Sequence, residues 1–220
     1  MLENFKKVLV ISPHTDDIEL GAGGTVLRLK KSNIEIFHLI LSSCKDILIE
    51  NNLDTDLYLK ECKQSGKFLG IKEENTIFHD VETRNFPFFR NNIREIMHKI
   101  SKDIKPDLII GPSLNDTHQD HKTVGEELKR AFVSGESIIS YEIGKNNLTF
   151  RPGMFMDITS FIDGKIKALD FYQSQKKHFK KQYFDDEFIR GLARVRGIQS
   201  NTFKYAEAFE VVRINTKQLG

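Results

Sequence analysis

Residues 8–31 read VLVISPHTDDIELGAGGTVLRLKK, and the fold follows from how this stretch divides. Val8–Ser12 is a short apolar, β-branched run and reads as a strand. The next segment, HTDDIELGAGGT, is rich in carboxylates and glycine and reads as a loop. TVLRLKK then sets Val26, Leu27 and Leu29 on one apolar face of a helix. The unit repeats along the chain. EIFHLILSS (35–43) is a second strand, DLYLKECKQSGKFLGI an amphipathic helix closed by Gly70, and TIFHDV (76–81) a third strand. FFRNNIREIMHKISKDI carries Phe89, Ile93, Ile96 and Ile100 at helical spacing and leads into a fourth strand, DLIIGPS (107–113). Alternation of this kind predicts an α/β fold, a mostly parallel sheet with helices on both faces and right-handed crossovers.

Beyond Lys122 a helix (VGEELKRAF) and a strand (SIISYEI) continue the pattern. Residues 151–220 are less regular, with a helix (IDGKIKALDFYQSQ), a basic run (KKHFKKQ) and a closing apolar strand (YAEAFEVVRI). No linker, repeat or low-complexity segment divides the chain, so 1–220 is read as a single domain.

Composition narrows the function classes. Of 220 residues, 39% are hydrophobic and 29% charged, the makeup of a folded globular chain. Lys and Arg number 33 against 31 Asp and Glu, so the net charge of +2 offers no field for a polyanion, and nucleic acid is not an expected partner. The apolar run near the amino terminus is too short for a signal-peptide core, and no stretch approaches the ~18 apolar residues of a membrane span. A cytoplasmic protein without stable membrane insertion is expected. Cys44 and Cys62 lie far apart, outside any CxxC spacing, and read as ordinary thiols of a reducing compartment.

In a parallel sheet, ligands bind beyond the carboxyl ends of the strands. The loops after VLVIS and DLIIG open onto that edge. The first holds His14, Asp16, Asp17 and Glu19, and adjacent carboxylates beside an imidazole repel each other unless a cation neutralises them. The second, NDTHQDHKTVG, holds His118, Asp120 and His121, with its histidines three apart and able to face one side of a turn. Imidazole nitrogen and carboxylate oxygen together suit zinc, whose catalytic sites take three protein ligands and a water. Each cluster alone also reads as a surface hydrogen bond or a helix cap. GAGG lacks the GxGxxG spacing of a dinucleotide fingerprint, and the adjacent acids would repel a pyrophosphate, so the glycines read as packing and turn residues.

PHTDDIELGAGGT, followed about a hundred residues later by HQDH, resembles the PIG-L/LmbE-like zinc N-deacetylases. The likeness continues through KPDLIIGPS, the DIT stretch at 157–159, the SQ at 174–175 and the late YAEAFEVVR. It implies a Rossmann-like α/β fold and hydrolysis of an N-acetyl group from an amino sugar or glycoconjugate. It further implies His14, Asp17 and His121 as zinc (Zn2+) ligands, Asp16 as general base, and His118 as the group that stabilises or protonates the tetrahedral intermediate; on chemical grounds a protonated His118 can meet the oxyanion and give the leaving amine its proton. Asp120 would orient a neighbouring histidine. Homo-oligomers are frequent among such proteins, and the sequence carries no interface signature.

Three positions depart from the pattern. Thr15 stands where proline is usual, and Gln119 replaces the common residue before Asp120. An arginine expected shortly before Glu61 is absent. Arg84, after the third strand, is a candidate for binding a sugar hydroxyl or an acidic aglycone. Phe86, Phe88 and Phe89 would wall a sugar site or fill the core. His38 reads as a core residue, His98 and His178 as surface groups, and His79 points to the active edge without a motif. The basic run reads as a solvated face, with attraction of an anionic substrate or a membrane surface as its other reading. Two rival functions fit the same residues: a zinc amidase acting on a larger conjugate, and a non-catalytic sugar- or nucleotide-binding protein. The ligand set would also accept iron, cobalt or manganese.

Overall fold

The structure is a computed structural model and describes residues 4–216. Its strands are β1 (Lys7–Ser12), β2 (Glu35–Ile40), β3 (Thr76–Phe78), β4 (Leu108–Pro112), β5 (Ser137–Tyr141), β6 (Met154–Asp157) and β7 (Ala206–Arg213). The helices are α1 (Asp17–Lys31), α2 (Lys45–Glu50), α3 (Leu57–Leu69), α4 (Arg90–Ile104), α5 (Gln119–Ala131), α6 (Ile162–Leu169) and α7 (Asp186–Gln199). The strands form one sheet of order β3-β2-β1-β4-β5-β7-β6. The first five are parallel, and β7 runs antiparallel between β5 and β6. The expected α/β architecture is what the chain adopts.

The strands are apolar throughout because both faces are covered. Val8 and Val10 point into a core shared with α1, α3 and α6. Leu9 and Ile11 point into a second core shared with α4 and α5. All four are fully buried. From β1 the chain first builds outward through β2 and β3, then returns to lay β4 on the other flank of β1. The crevice between the ends of β1 and β4 is therefore the switch point of the sheet, where a ligand site is expected.

One boundary differs from the sequence reading. The segment read as a loop is helical from Asp17, so the glycines lie inside α1. Glycine costs an isolated helix roughly 0.5–1 kcal/mol relative to alanine, but here close packing requires it. A Cβ on Gly21 would overlap the Tyr141 ring, and one on Gly24 would sit 2.7 Å from Ile158. The early start places Asp17 and Glu19 in the first turn, where the helix dipole favours negative charge.

The region after β5 holds two elements that the sequence pattern does not announce, β6 and α7. α7 buries only a narrow stripe (Ile189, Ala193, Gly197) and exposes Val195 and Ile198, so its apolar period is faint. This region is tied to α1 by a buried pair. Lys165 Nζ donates to Glu207 Oε1 at 2.6 Å and to the Leu20 carbonyl at 2.7 Å. The Glu207 carboxylate also accepts from the Gly24 and Thr25 amides at 2.9 and 2.7 Å. Cys44 and Cys62 are free and buried. Among the described residues no helix is long and apolar enough to cross a membrane.

Candidate active site

The two loops meet at the switch point. His14, between β1 and α1, and His121, in the first turn of α5, bring their rings to a centroid distance of 5.1 Å. His14 Nδ1 faces His121 Nε2 at 3.1 Å. Asp17, the first residue of α1, sends Oδ1 to 3.2 Å from His121 Nε2 and Oδ2 to 3.7 Å from His14 Nδ1. Its Oδ2 also accepts from the His14 backbone amide at 2.7 Å, which holds loop and carboxylate together.

The outer nitrogens of both rings are held by carboxylates. His14 Nε2 meets Asp120 Oδ2 at 3.0 Å, and His121 Nδ1 meets Asp116 Oδ2 at 2.9 Å. A carboxylate only accepts, so each ring places its hydrogen outward and turns its other nitrogen lone pair inward. Two lone pairs and a carboxylate oxygen then face one another. That arrangement holds only when a cation, a proton or a metal ion, lies among them. The carboxylate-backed imidazole is also the usual support of a metal-ligating histidine. Burial alone would lower the His121 pKa, but the Asp17 charge and the bonds to Asp116 and Asp17 raise it to about 10. Burial would likewise raise Asp17, yet His121 and His14 hold it down to about 2.

His118 completes a triad of histidines whose nitrogens lie within 4.8 Å of one another, able by position to hold a metal ion. Its bonding differs from that of the other two. His118 is the N-cap of α5, and its Nδ1 accepts from the Asp120 amide at 3.2 Å. The neutral ring therefore carries its hydrogen on Nε2 and is a donor there. Burial and the neighbouring His14 and His121 push its pKa down to about 4. These surroundings favour a neutral ring, against the sequence expectation of a protonated one.

Asp16 differs from its neighbour Asp17. It is half-buried and borders the cavity, and among the described residues no side chain hydrogen-bonds its carboxylate. Burial, then the Asp17 charge, raises its pKa above the ordinary carboxylate range. Asp120 orients His14, and its own oxygens are fixed by the Arg84 and Phe86 amides at 2.7 and 3.4 Å. Arg84 reaches this position through a left-handed backbone, φ 68°. Its side chain is exposed at the rim of the cavity, 3.7 Å from Glu50.

The cavity is open, about 360 Å³ in volume, and is also lined by Tyr58, Asn146, Gln175, Phe179, Lys181 and Tyr183. Apart from the basic run, which holds Phe179 and Lys181 and whose other reading was an anionic substrate or a membrane surface, sequence reasoning did not assign these to the site, and it missed Asp116, whose only signal is an acid in the loop ahead of His121. Phe86 is fully buried with its ring 5.9 Å from that of His14, whereas Phe88 is 86% exposed and walls nothing. His38 is a satisfied core residue, 2.8 Å from Ser12 Oγ. His98 is half-buried rather than a surface group, with Nδ1 at 3.0 Å from the Ala131 carbonyl. His79 is not among the residues lining the cavity. Thr15 is buried, and its carbonyl accepts from Tyr172 Oη at 2.6 Å. Glu61 is buried and accepts from the Ser174 amide at 2.8 Å.

Comparison with known proteins agrees with this geometry. Residues 9–132 match the family described as PIG-L: GlcNAc-PI de-N-acetylase. The diacetylchitobiose deacetylase of Thermococcus kodakarensis is 27% identical over 230 residues, covering 94% of this chain and 83% of that protein. The N,N'-diacetylchitobiose deacetylase of Pyrococcus horikoshii, complexed with an inhibitor, superposes with a TM-score of 0.80 at 22% identity, over 100% of this chain and 87% of that one. The 4-carboxy-2-hydroxymuconate hydratase GalB of Pseudomonas putida superposes with a TM-score of 0.77 at 20% identity, over 95% and 97% of the two chains, and shares the fold alone. With the family match extending over more than half its length, from β1 to the end of α5, the chain belongs to the PIG-L family.

Proposed function

We propose that the protein is a zinc-dependent deacetylase that removes the acetyl group from an N-acetylated amino sugar or glycoconjugate, with the whole of 1–220 acting as one catalytic domain. One observation carries the reading: His14 Nδ1, His121 Nε2 and the Asp17 carboxylate converge, and the Asp16 carboxylate, which no side chain bonds among the described residues, stands beside them. The deacetylase relatives support the choice of bond. His14, Asp17 and His121 would hold the metal. When bound, zinc supplies positive charge that lowers the pKa of a water towards ~7 and polarises an amide carbonyl.

The remaining steps belong to the chain's own groups. Asp16 takes the proton of the attacking water at a carboxylate oxygen, and its burial makes it a stronger base than an exposed aspartate. As the amide carbon becomes tetrahedral, negative charge grows on its oxygen. His118 Nε2–H donates to that oxygen, and losing one such donor typically costs about 2.7–4 kcal/mol of barrier. Because His118 Nδ1 is engaged by the Asp120 amide, the ring has no second proton to give. Asp16 therefore returns its proton to the leaving amine, in place of the delivery from His118 expected from the sequence. Arg84 at the rim contacts a sugar hydroxyl or an acidic aglycone.

The test is acetate release from N-acetylglucosamine and N,N'-diacetylchitobiose by the zinc-loaded protein. Asp16→Asn is expected to keep zinc and lose at least about 10²-fold in kcat. Near-normal turnover in that variant would remove Asp16 from the mechanism, and no acetate from any N-acetylated sugar would remove the function.

A further inference from the structure

Two side chains of the proposed site stand at helix N-caps, and they behave differently. His118 precedes α5 with an extended backbone, ψ 121°, and caps that helix through the Asp120 amide. Asp16 precedes α1 with φ −109° and ψ −3°, and its carboxylate makes no cap bond. Aspartate is among the preferred N-cap residues because, from an extended backbone, its side chain accepts from an amide of the first helical turn. Asp16 departs from that use, and its carboxylate borders the cavity instead. Something outside α1 holds it there.

The restraint comes from the segment YQSQ at 172–175, which the proposed mechanism does not use. Tyr172 Oη donates to the Thr15 carbonyl at 2.6 Å, joining residues 157 positions apart. That carbonyl belongs to the peptide leading into Asp16, so the bond fixes the plane about which the Asp16 φ turns. The flanking carbonyls are held from elsewhere, Pro13 by the Ser42 amide at 3.0 Å and Asp16 by the Leu20 amide at 3.2 Å. Tyr172 itself is firmly placed. It is fully buried, with its ring 6.1 Å from that of Phe184. Two positions on, the Ser174 amide and hydroxyl bind Glu61 of α3 at 2.8 and 2.5 Å. Burial pushes the Tyr172 pKa well above its ordinary value, so the hydroxyl keeps its proton and donates. The chain then enters a π-helical turn, Ser174–His178, a rare form that clusters at functional sites.

A second tyrosine supplies the comparison. Tyr141 is also fully buried, and its Oη donates to the Ile11 carbonyl at 3.1 Å. Ile11 lies within β1, where pairing with β2 already fixes the backbone. The Tyr141 hydroxyl satisfies a carbonyl and positions no reacting group.

We propose that Tyr172 is a positioning residue for the reaction: by holding the Thr15 carbonyl, its hydroxyl keeps the Asp16 carboxylate at the cavity and off the first-turn amides of α1. This deepens the proposed function and rests on its assignment of Asp16 as the base.

The experiment compares zinc-loaded Tyr172→Phe with Tyr141→Phe, each of which loses one buried hydroxyl and keeps its ring, in acetate release from N,N'-diacetylchitobiose. Tyr172→Phe should lose about tenfold or more in kcat, the scale of a small misplacement of a reacting group, with KM within about threefold. Tyr141→Phe should lose less than about threefold in kcat. In an Asp16→Asn background Tyr172→Phe should cost nothing further, because it acts through Asp16. Crystal structures of the metal-free proteins supply a readout independent of turnover: the Asp16 carboxylate should accept from the Ile18 or Glu19 amide in Tyr172→Phe and not in Tyr141→Phe. An equal kcat loss in both variants, losses that multiply with Asp16→Asn, or an unmoved Asp16 in Tyr172→Phe would overturn the proposal. So would a crystal structure of the unmutated protein in which Asp16 caps α1 with the Tyr172 bond intact, a result that needs no variant to fold. The deacetylase reading fails separately: Asp16 capping α1 in Tyr172→Phe, with no acetate released from any N-acetylated sugar by the unmutated protein, keeps the positioning of Asp16 and removes that function. Acetate release with Asp16 unmoved in Tyr172→Phe does the reverse.

Discussion

The part of the molecule from β1 to α5 and the part after β5 contribute to the same cavity in different ways. In the proposed mechanism the first part gives the groups that react, hold the metal or orient them: His14, Asp16, Asp17, His118, Asp120 and His121. The second adds Lys145, Asn146, Gln175, Phe179, Lys181 and Tyr183 to a wall that Tyr58 and Arg84 of the first part also line. The parallel half has rigid strand ends buried on both sides, and groups set there hold positions fixed enough for bond chemistry. The antiparallel half presents a π-helical turn and loops, where residues other than Tyr172 can change without disturbing the reacting groups. The groups proposed to react therefore all come from the first stretch, while the wall draws on both.

The largest expected stability effect tests how the two parts are joined. Lys165→Met leaves Glu207 buried against the Gly24 and Thr25 amides without its cation, and breaking such a pair costs about 3–5 kcal/mol. Thermal unfolding should fall accordingly, by about 2–4 °C for each kcal/mol. A melting temperature within a degree of the parent would mean that the pair does not bind the second part to α1.

A smaller effect sharpens the division of labour. Asp116→Asn weakens the hold on His121 Nδ1 and should lower zinc affinity by about 10–100-fold in competition titrations with a chelator. Lys181→Met should leave that affinity within about threefold, since no ligand nitrogen or oxygen depends on it. An equal loss from both substitutions would erase the distinction between the two parts.

An effect confined to acid lies in the sheet beneath the site. Burial holds His38 neutral and drives its pKa down to about 3, against ~6.5 in an unfolded chain. Between those values the unfolded chain binds a proton that the folded one refuses. Stability is therefore intact above pH ~6.5 and is lost as pH falls towards 3, by up to about 1.4 kcal/mol per pH unit. Urea unfolding across that range should show a shallower loss for His38→Gln. The same slope in both proteins would take His38 out of the acid response.

What the sequence made legible follows the same division. The strands VLVIS and DLIIG are uninterrupted apolar runs, and the motif loops after them had to share an edge once the sheet was parallel. The residues of both clusters could be named because they stand within a few positions of each other. The start of α1 was misplaced because glycine normally argues against helix, whereas Tyr141 and Ile158, more than a hundred residues away, decide the matter. Asp116 was passed over because its partner atom, His121 Nδ1, is known only from the ring's orientation. α7 and β6 escaped notice because a narrow buried stripe and a four-residue strand leave too short a pattern to read. Lys181 was hidden in a run of like residues, and only the turn at 174–180 separates it from them.

Zinc-binding calorimetry on metal-stripped protein tests the central claim most directly. The account predicts one tight site per chain, lost in His14→Ala and in His121→Ala and retained in Asp16→Asn. Failure of the intact protein to bind zinc, or binding that survives His14→Ala unchanged, would contradict it.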